Sequence, residues 1–102
     1  MEVVFDNKNI KELYETGKNR KYRIPPIVLE KFNICIDVLV EAKTINDLWL
    51  KPALNFEKLK GIDKYSMRLN KKFRLEMSIQ WENNEKTKGI VYILDISVHY
   101  GD

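Results

Sequence analysis

The second half of the sequence carries cationic and proton-transferring side chains where β-strands are expected. Alternation of apolar and polar residues places Arg68 and Arg74 on the polar faces of two neighbouring strands. A guanidinium group binds phosphate through two parallel N–H donors, so two such groups side by side suit a phosphodiester. Lys60, His99 and Tyr100 complete the set.

This set of residues fits metal-free cleavage of RNA, in which the ribose 2′-hydroxyl is the nucleophile. A base must take the proton of that hydroxyl, cations must stabilise the charge on the phosphorane, and an acid must protonate the leaving 5′-oxygen. The single histidine can transfer a proton near neutral pH. By composition alone, however, one histidine near a chain end is more often a surface residue, and a charge run is equally often a solvated face.

Other catalytic sites lack the residues that they need. One cysteine and one histidine do not make a zinc site, and the four glycines do not have the spacing of a phosphate-binding loop. No Gly-x-Ser-x-Gly element is present. We therefore expect neither a metal nor another cofactor, and we expect Cys35 to be a buried structural thiol.

The distribution of charge says more about partners than its total. The net charge is only +3, but the segment from Phe56 to Glu76 has seven basic residues and three acidic ones. At 102 residues we expect a single domain, 1–102. The sequence has no long apolar segment and no signal-peptide pattern at its start, so we expect a cytoplasmic protein with no membrane partner.

The elements that must position these residues follow from periodicity and helix-end signals. Met1 to Phe5 is β-prone, Asp6 or Asn7 can cap a short helix that stops at Gly17, and Pro26 to Lys43 has the polar stripe of a longer helix. A short helix and three further strands follow. The order predicts an α+β fold, with an antiparallel, mixed-edge sheet of about four strands and two to three helices on one face.

The strand patterns predict which side chains are buried. In the strand that begins at Phe73, the predicted core row is Phe73, Leu75, Met77, Ile79 and Trp81. In the last strand, alternation predicts that Ile90, Tyr92, Leu94, Ile96 and Val98 form the apolar row. This leaves Val91, Ile93, Asp95, Ser97 and His99 on the opposite face.

The order and spacing of five segments resemble HigB-type toxins of the RelE/ParE superfamily, which belong to type II toxin-antitoxin systems. The segments are Glu12-Leu13-Tyr14-Glu15-Thr16-Gly17, Leu59-Lys60-Gly61, Tyr65-Ser66-Met67-Arg68-Leu69-Asn70, Phe73-Arg74-Leu75 and Asp95-Ile96-Ser97-Val98-His99-Tyr100. The resemblance covers nearly the whole chain.

The resemblance implies a RelE-like fold and a toxin that cuts translated mRNA in the 30S A site of the ribosome. It also implies a HigA-like helix-turn-helix antitoxin as partner, with operator DNA contacted only through the antitoxin. Two alternatives stay open. One is a ParE-like protein that poisons DNA gyrase by binding alone, and the other is a degenerate toxin kept as a co-repressor.

Carried over residue by residue, the resemblance implies roles for the candidate site. Arg68 and Arg74 would hold the scissile phosphate, Lys60 would stabilise charge or abstract a proton, and His99 with Tyr100 would make the remaining proton transfers. The expected contacts with RNA backbone are Lys58, Lys71 and Lys72.

The sequence departs from the pattern of the family in two places. Many members have a histidine in a His-Pro-Leu-Lys-Gly run where this chain has Glu57-Lys58-Leu59-Lys60-Gly61, and some end in Asp-Tyr-His where this chain has Val98-His99-Tyr100. Glu57 is then either a base or the ion-pair partner of a neighbouring lysine.

Overall fold

A computed structural model describes residues 1–61 and 63–98, and in these residues five strands form one mixed sheet. The order across the sheet is β1-β5-β4-β3-β2. The elements in chain order are β1 (Glu2–Phe5), α1 (Lys8–Thr16), α2 (Pro26–Glu41), α3 (Asn46–Trp49), a 3₁₀ turn (Pro52–Leu54), β2 (Glu57–Lys58), β3 (Lys64–Arg68), β4 (Phe73–Trp81) and β5 (Gly89–Val98).

The α+β prediction is confirmed, with a small difference in the number of strands. Strands β2 to β5 pair antiparallel, and β1 lies parallel to β5 at the edge of the sheet. The additional strand is β2, which has only two residues, Glu57 and Lys58. A strand that short has no alternation for a sequence pattern to detect.

The ends of α1 follow from its sequence. The Asn7 side chain accepts hydrogen bonds from the backbone N–H groups of Asn9 and Ile10, at 3.0 and 3.2 Å. At the other end, Gly17 adopts a left-handed conformation with φ of 79°. An asparagine N-cap and a left-handed glycine C-cap are common at helix ends, and here they set the first and last residues of α1.

The hydrophobic core lies between the helices and one face of the sheet. Phe32, Ile36 and Leu39 of α2 are buried with Ile10 and Leu13 of α1. The strands contribute the predicted row of β4, in which Leu75, Met77 and Ile79 are buried, together with Met67, Val91 and Ile93. Each large apolar side chain stabilises the fold by about 1.5 to 3 kcal/mol. The opposite face of the sheet is left for polar residues.

The predicted apolar row of β5 is wrong over the first half of that strand. Val91 and Ile93 are buried, whereas Ile90, Tyr92 and Leu94 are only partly so. The cause is a bulge, because Met77 pairs with Ile93 but Glu76 pairs with Asp95, which leaves one extra residue in β5. An extra residue reverses the faces beyond it, so Ile96 returns to the core as predicted. Val98, the last residue of the predicted row, is 40% exposed at the end of the strand.

No helix within the described ranges 1–61 and 63–98 is long and apolar enough to cross a bilayer.

Burial of Cys35 in α2 predicts a loss of stability at alkaline pH. Burial raises the pKa of its thiol from 9.0 to about 11. The folded protein therefore keeps a proton that the unfolded chain releases, and the stabilisation present below pH 9.0 is lost as the pH rises through about 11. We expect the free energy of unfolding to fall by about 2 to 3 kcal/mol across this window.

Urea unfolding of the native chain and of Cys35→Ala, measured over the same pH range, tests this expectation. The alanine variant will be less stable below pH 9 because of the cavity, and its stability will depend less steeply on pH between 9 and 11. Parallel curves for the two proteins would contradict the assignment. Tyr22 and Tyr65, whose pKa values are also raised by burial, contribute to both curves above pH 10.

Candidate active site

Two arginines lie directly opposite each other on the polar face of the sheet. Arg68 at the end of β3 and Arg74 near the start of β4 are Cα partners in the antiparallel register. Directly opposed side chains on one face have Cβ atoms about 4.5 to 5.5 Å apart, and like charges at this spacing are destabilising. The structure thus holds two guanidinium groups where a bound anion would relieve their repulsion.

The turn between β3 and β4 fixes this register. The Asn70 side chain accepts hydrogen bonds from the backbone N–H groups of Lys72 and Phe73, at 2.8 and 2.7 Å. The backbone N–H of Leu69 also donates to the Phe73 carbonyl at 2.9 Å. Asn70 therefore aligns the arginine pair. Lys71 and Lys72 are exposed on the same turn, at the end of the sheet where the arginines lie.

Glu57 reaches across β3 to the arginine pair. Its carboxylate accepts a hydrogen bond from Arg74 Nη1 at 3.5 Å. Between them lies Ser66, which is 1% exposed and is the Cα partner of both Glu57 and Glu76. A small side chain at position 66 leaves room for this contact. Glu57 thus pairs with Arg74 and not with a neighbouring lysine, which was one of the two roles that the sequence left open for it.

Lys60 lies at the other end of the β2–β3 hairpin. Its turn is closed by the Leu59 N–H, which donates to the Lys64 carbonyl at 2.8 Å, and Gly61 has φ of 114°, a conformation that favours glycine. Arg68 is four residues further along β3 than Lys64, about 13 Å at the usual rise. The structure brings Glu57, Arg68 and Arg74 together, and Lys60 lies on the turn at the end of β3 opposite to Arg68.

The remaining predicted residues lie at different places relative to the arginine pair. Lys58 pairs with Tyr65, so strand alternation places Lys58 on the side of the sheet away from Glu57 and Ser66. In β5, Ser97 is the Cα partner of Arg74 and extends the row formed by Arg68 and Arg74. His99 and Tyr100 follow the end of β5 directly and lie outside the described residues.

The Asp95 carboxylate does not join this row of side chains. It accepts a hydrogen bond from the Tyr22 hydroxyl at 2.6 Å, and Tyr22 belongs to the loop between α1 and α2. Burial, followed by this hydrogen bond to Asp95, raises the pKa of the Tyr22 hydroxyl above its ordinary value. The contact joins residues 73 positions apart, and no local pattern in the sequence indicates it.

Comparison with known proteins identifies the class of this fold. A toxin from Agrobacterium tumefaciens described as YoeB/ParE superposes with a TM-score of 0.61 at 18% identity, over 98% of this chain and 100% of the toxin chain. The YoeB–YefM complex from Staphylococcus aureus matches with a TM-score of 0.57, also at 18% identity, over 98% of both chains. At this identity the likeness concerns the fold.

The family is shown by sequence. The model of the HigB-like toxin family, described as the RelE-like toxin HigB of type II toxin-antitoxin systems, matches residues 3–96. The chain belongs to this family, which confirms the resemblance read from its motifs. No curated protein matches the sequence.

The contact between Glu57 and Arg74 predicts the effect of Glu57→Gln. The Glu57 side chain is 47% exposed, so the loss of the ion pair should change the free energy of unfolding by less than about 1 kcal/mol. Removing the carboxylate also removes a competitor for Arg74, so inorganic phosphate should bind a few-fold more tightly. Thermal unfolding at increasing phosphate concentration measures both effects, with Glu82→Gln as the exposed control. Weaker phosphate binding by Glu57→Gln would contradict this account.

Proposed function

We propose that this HigB-like toxin is a ribosome-dependent endoribonuclease that cuts translated mRNA in the 30S A site. The observation that carries the proposal is the in-register opposition of Arg68 and Arg74 on the polar face of the sheet. The ion pair with Glu57 offsets part of the charge of Arg74, and a bound phosphate would offset more of the repulsion between the two arginines. Their planar donor groups suit the two non-bridging oxygens of a phosphodiester.

In the proposed reaction, the ribose 2′-oxygen attacks the adjacent phosphorus and the bond to the 5′-oxygen breaks. The products are a 2′,3′-cyclic phosphate and a 5′-hydroxyl, and no metal takes part. Arg68 and Arg74 hold the phosphate and stabilise the charge that develops on it. Glu57 yields Arg74 to the phosphate when RNA binds, because the ion pair between them is long and half-exposed.

The proton transfers are proposed for Lys60, His99 and Tyr100. Proton abstraction by Lys60 requires its ammonium at the same phosphate, so the flexible side chain of Lys60 would span the distance from its turn to the arginines when RNA binds. Lys71 and Lys72, exposed beside the arginines, would contact the RNA backbone. Lys58 lies on the other side of the edge strand β2, so it would contact RNA where the strand passes the edge of the sheet. The ribosome would supply the extended mRNA and hold it in a reactive geometry.

A HigA-like antitoxin is the proposed inhibitor, and through it the toxin would be recruited to operator DNA in the cytoplasm. The Staphylococcus aureus YoeB is found with YefM, which supports a toxin-antitoxin complex here. Ile27 and Ile34 on the outer side of α2 are 74% and 48% exposed. Antitoxin docking there, or over the arginines, would keep the toxin from the ribosome.

Primer-extension mapping of a defined mRNA tests the proposal. Purified protein is incubated with the mRNA alone and with the same mRNA on programmed ribosomes, alongside Arg74→Ala and the control Lys11→Ala from α1. We expect cuts only on ribosomes, at least about 10²-fold slower cleavage by Arg74→Ala, and native rates for Lys11→Ala.

Intact mRNA in both reactions, from protein that still arrests growth, would overturn the proposal. The ParE-like alternative then predicts inhibition of DNA gyrase in a supercoiling assay. Retained cleavage by Arg74→Ala would also contradict the phosphate-binding role of this arginine.

A further inference from the structure

A second cationic surface lies at the end of the sheet where β4 begins and β5 ends. It is a groove of about 470 Å³ between the loop after α1 and these two strand ends. Its lining includes Arg20, Lys21, Arg23, Lys72, Phe73 and Asp95. The proposed cleavage gives no role to the three cations of the loop, Arg20, Lys21 and Arg23.

The loop is held against the sheet at its middle. Tyr22 is 8% exposed, and its hydroxyl donates to Asp95 in β5 and accepts a hydrogen bond from the Asn7 side chain at 2.9 Å. The Asn19 side chain accepts from the backbone N–H groups of Lys21 and Tyr22, at 2.9 and 3.1 Å. The exposed residues beside this anchor, Arg20, Lys21 and Arg23, are therefore held at the groove.

The chemistry of the groove favours an anionic ligand with a flat group. Four cations face one carboxylate, Asp95, which is already engaged by Tyr22. The ring of Phe73 lines the same space, and the Lys72 ammonium lies 5.6 Å from its centroid. Cations with an aromatic surface are the combination that binds single-stranded nucleic acid, where phosphates meet the charges and bases stack on the ring.

The groove lies at the same end of the sheet as the arginine pair, but on the other face. Phe73 and Arg74 are neighbours on β4, and alternation points their side chains to opposite faces of the sheet. A strand of RNA that passes around this end of the sheet can therefore place one phosphate on Arg74 and a flanking nucleotide beside Phe73. Lys71 and Lys72 lie on the turn that such a strand would cross.

We propose that this groove binds one nucleotide of the single-stranded RNA next to the cut, with its base on Phe73 and its phosphate on Arg20, Arg23 and Lys72. The inference rests on the proposed function for its choice of RNA. It assigns the loop after α1 to substrate positioning. It also gives the toxin a contact with the base that flanks the scissile bond.

The test is direct binding of a fluorescein-labelled hexauridylate with 2′-O-methyl groups, which cannot be cleaved, measured by fluorescence anisotropy. We compare the native chain with Phe73→Leu and with the double variant Arg20→Ala/Arg23→Ala. The matched controls are Phe5→Leu in β1 and Lys8→Ala/Lys11→Ala on α1. Phe73→Tyr keeps a ring and serves as the rescue, and thermal unfolding verifies the fold of every variant.

We expect Phe73→Leu to bind about tenfold more weakly or worse, and Phe73→Tyr and both controls to bind as the native chain does. For Arg20→Ala/Arg23→Ala, we also expect a smaller slope of log Kd against the logarithm of the salt concentration. The slope should fall by about 0.7 for each phosphate that the variant no longer neutralises. Equal binding by groove and control variants would overturn the inference. Displacement of the RNA by an equal concentration of hexaglutamate would overturn it too, because it would show a general anion site.

The two proposals fail separately in these experiments. In one outcome, the native chain cuts mRNA on ribosomes, and the groove variants bind hexauridylate and cut mRNA as the native chain does. This outcome would reject the groove as an RNA site and retain the nuclease. In the other outcome, the native chain binds hexauridylate but cuts no mRNA on ribosomes, and Phe73→Leu loses the binding. This outcome would retain the groove as an RNA site and reject the nuclease.

Discussion

The candidate site depends on the register between β3 and β4. This register places Arg68 against Arg74, where two positive charges repel each other. The other face of the same two strands supplies Met67 and Leu75, both fully buried. Because a slip of one residue would expose these core side chains, the core holds the arginines together against their repulsion.

The two faces of the sheet carry different kinds of residue, the hydrophobic core on one and the candidate site on the other. The helices cover one face, and the arginine row with Ser97 and Glu57 occupies the other. The end of the sheet at the β3–β4 turn is where the two meet, since Lys72 and Phe73 contribute to the groove and Arg74 to the row. In the proposed complex with RNA, contacts on both faces would therefore come from one short turn, whose conformation is set by Asn70.

Local patterns predicted the parts of the structure that depend on local rules. Alternation in β4 identified its core row because apolar and polar residues strictly alternate there, and Asn7 and Gly17 marked the ends of α1. The same rule failed in β5, where Ile90 to Leu94 is a continuous apolar run and a bulge changes the faces. The run itself contains no signal for the bulge.

Long-range contacts were the other part that the sequence did not predict. The pair of Glu57 with Arg74 depends on the small buried Ser66 between them, and the groove depends on Tyr22 reaching Asp95 from a loop far away in the chain.

The central claim is that Arg68 and Arg74 act on one phosphate, and a double-mutant cycle of ribosomal mRNA cleavage tests it most directly. The rate constant kcat/KM is measured for the native chain, Arg68→Ala, Arg74→Ala and the double variant. If both arginines hold one phosphate, the double variant loses much less than the product of the single losses, with a coupling of about 1 kcal/mol or more. Additive losses, within about 0.5 kcal/mol, would show independent roles and contradict the account.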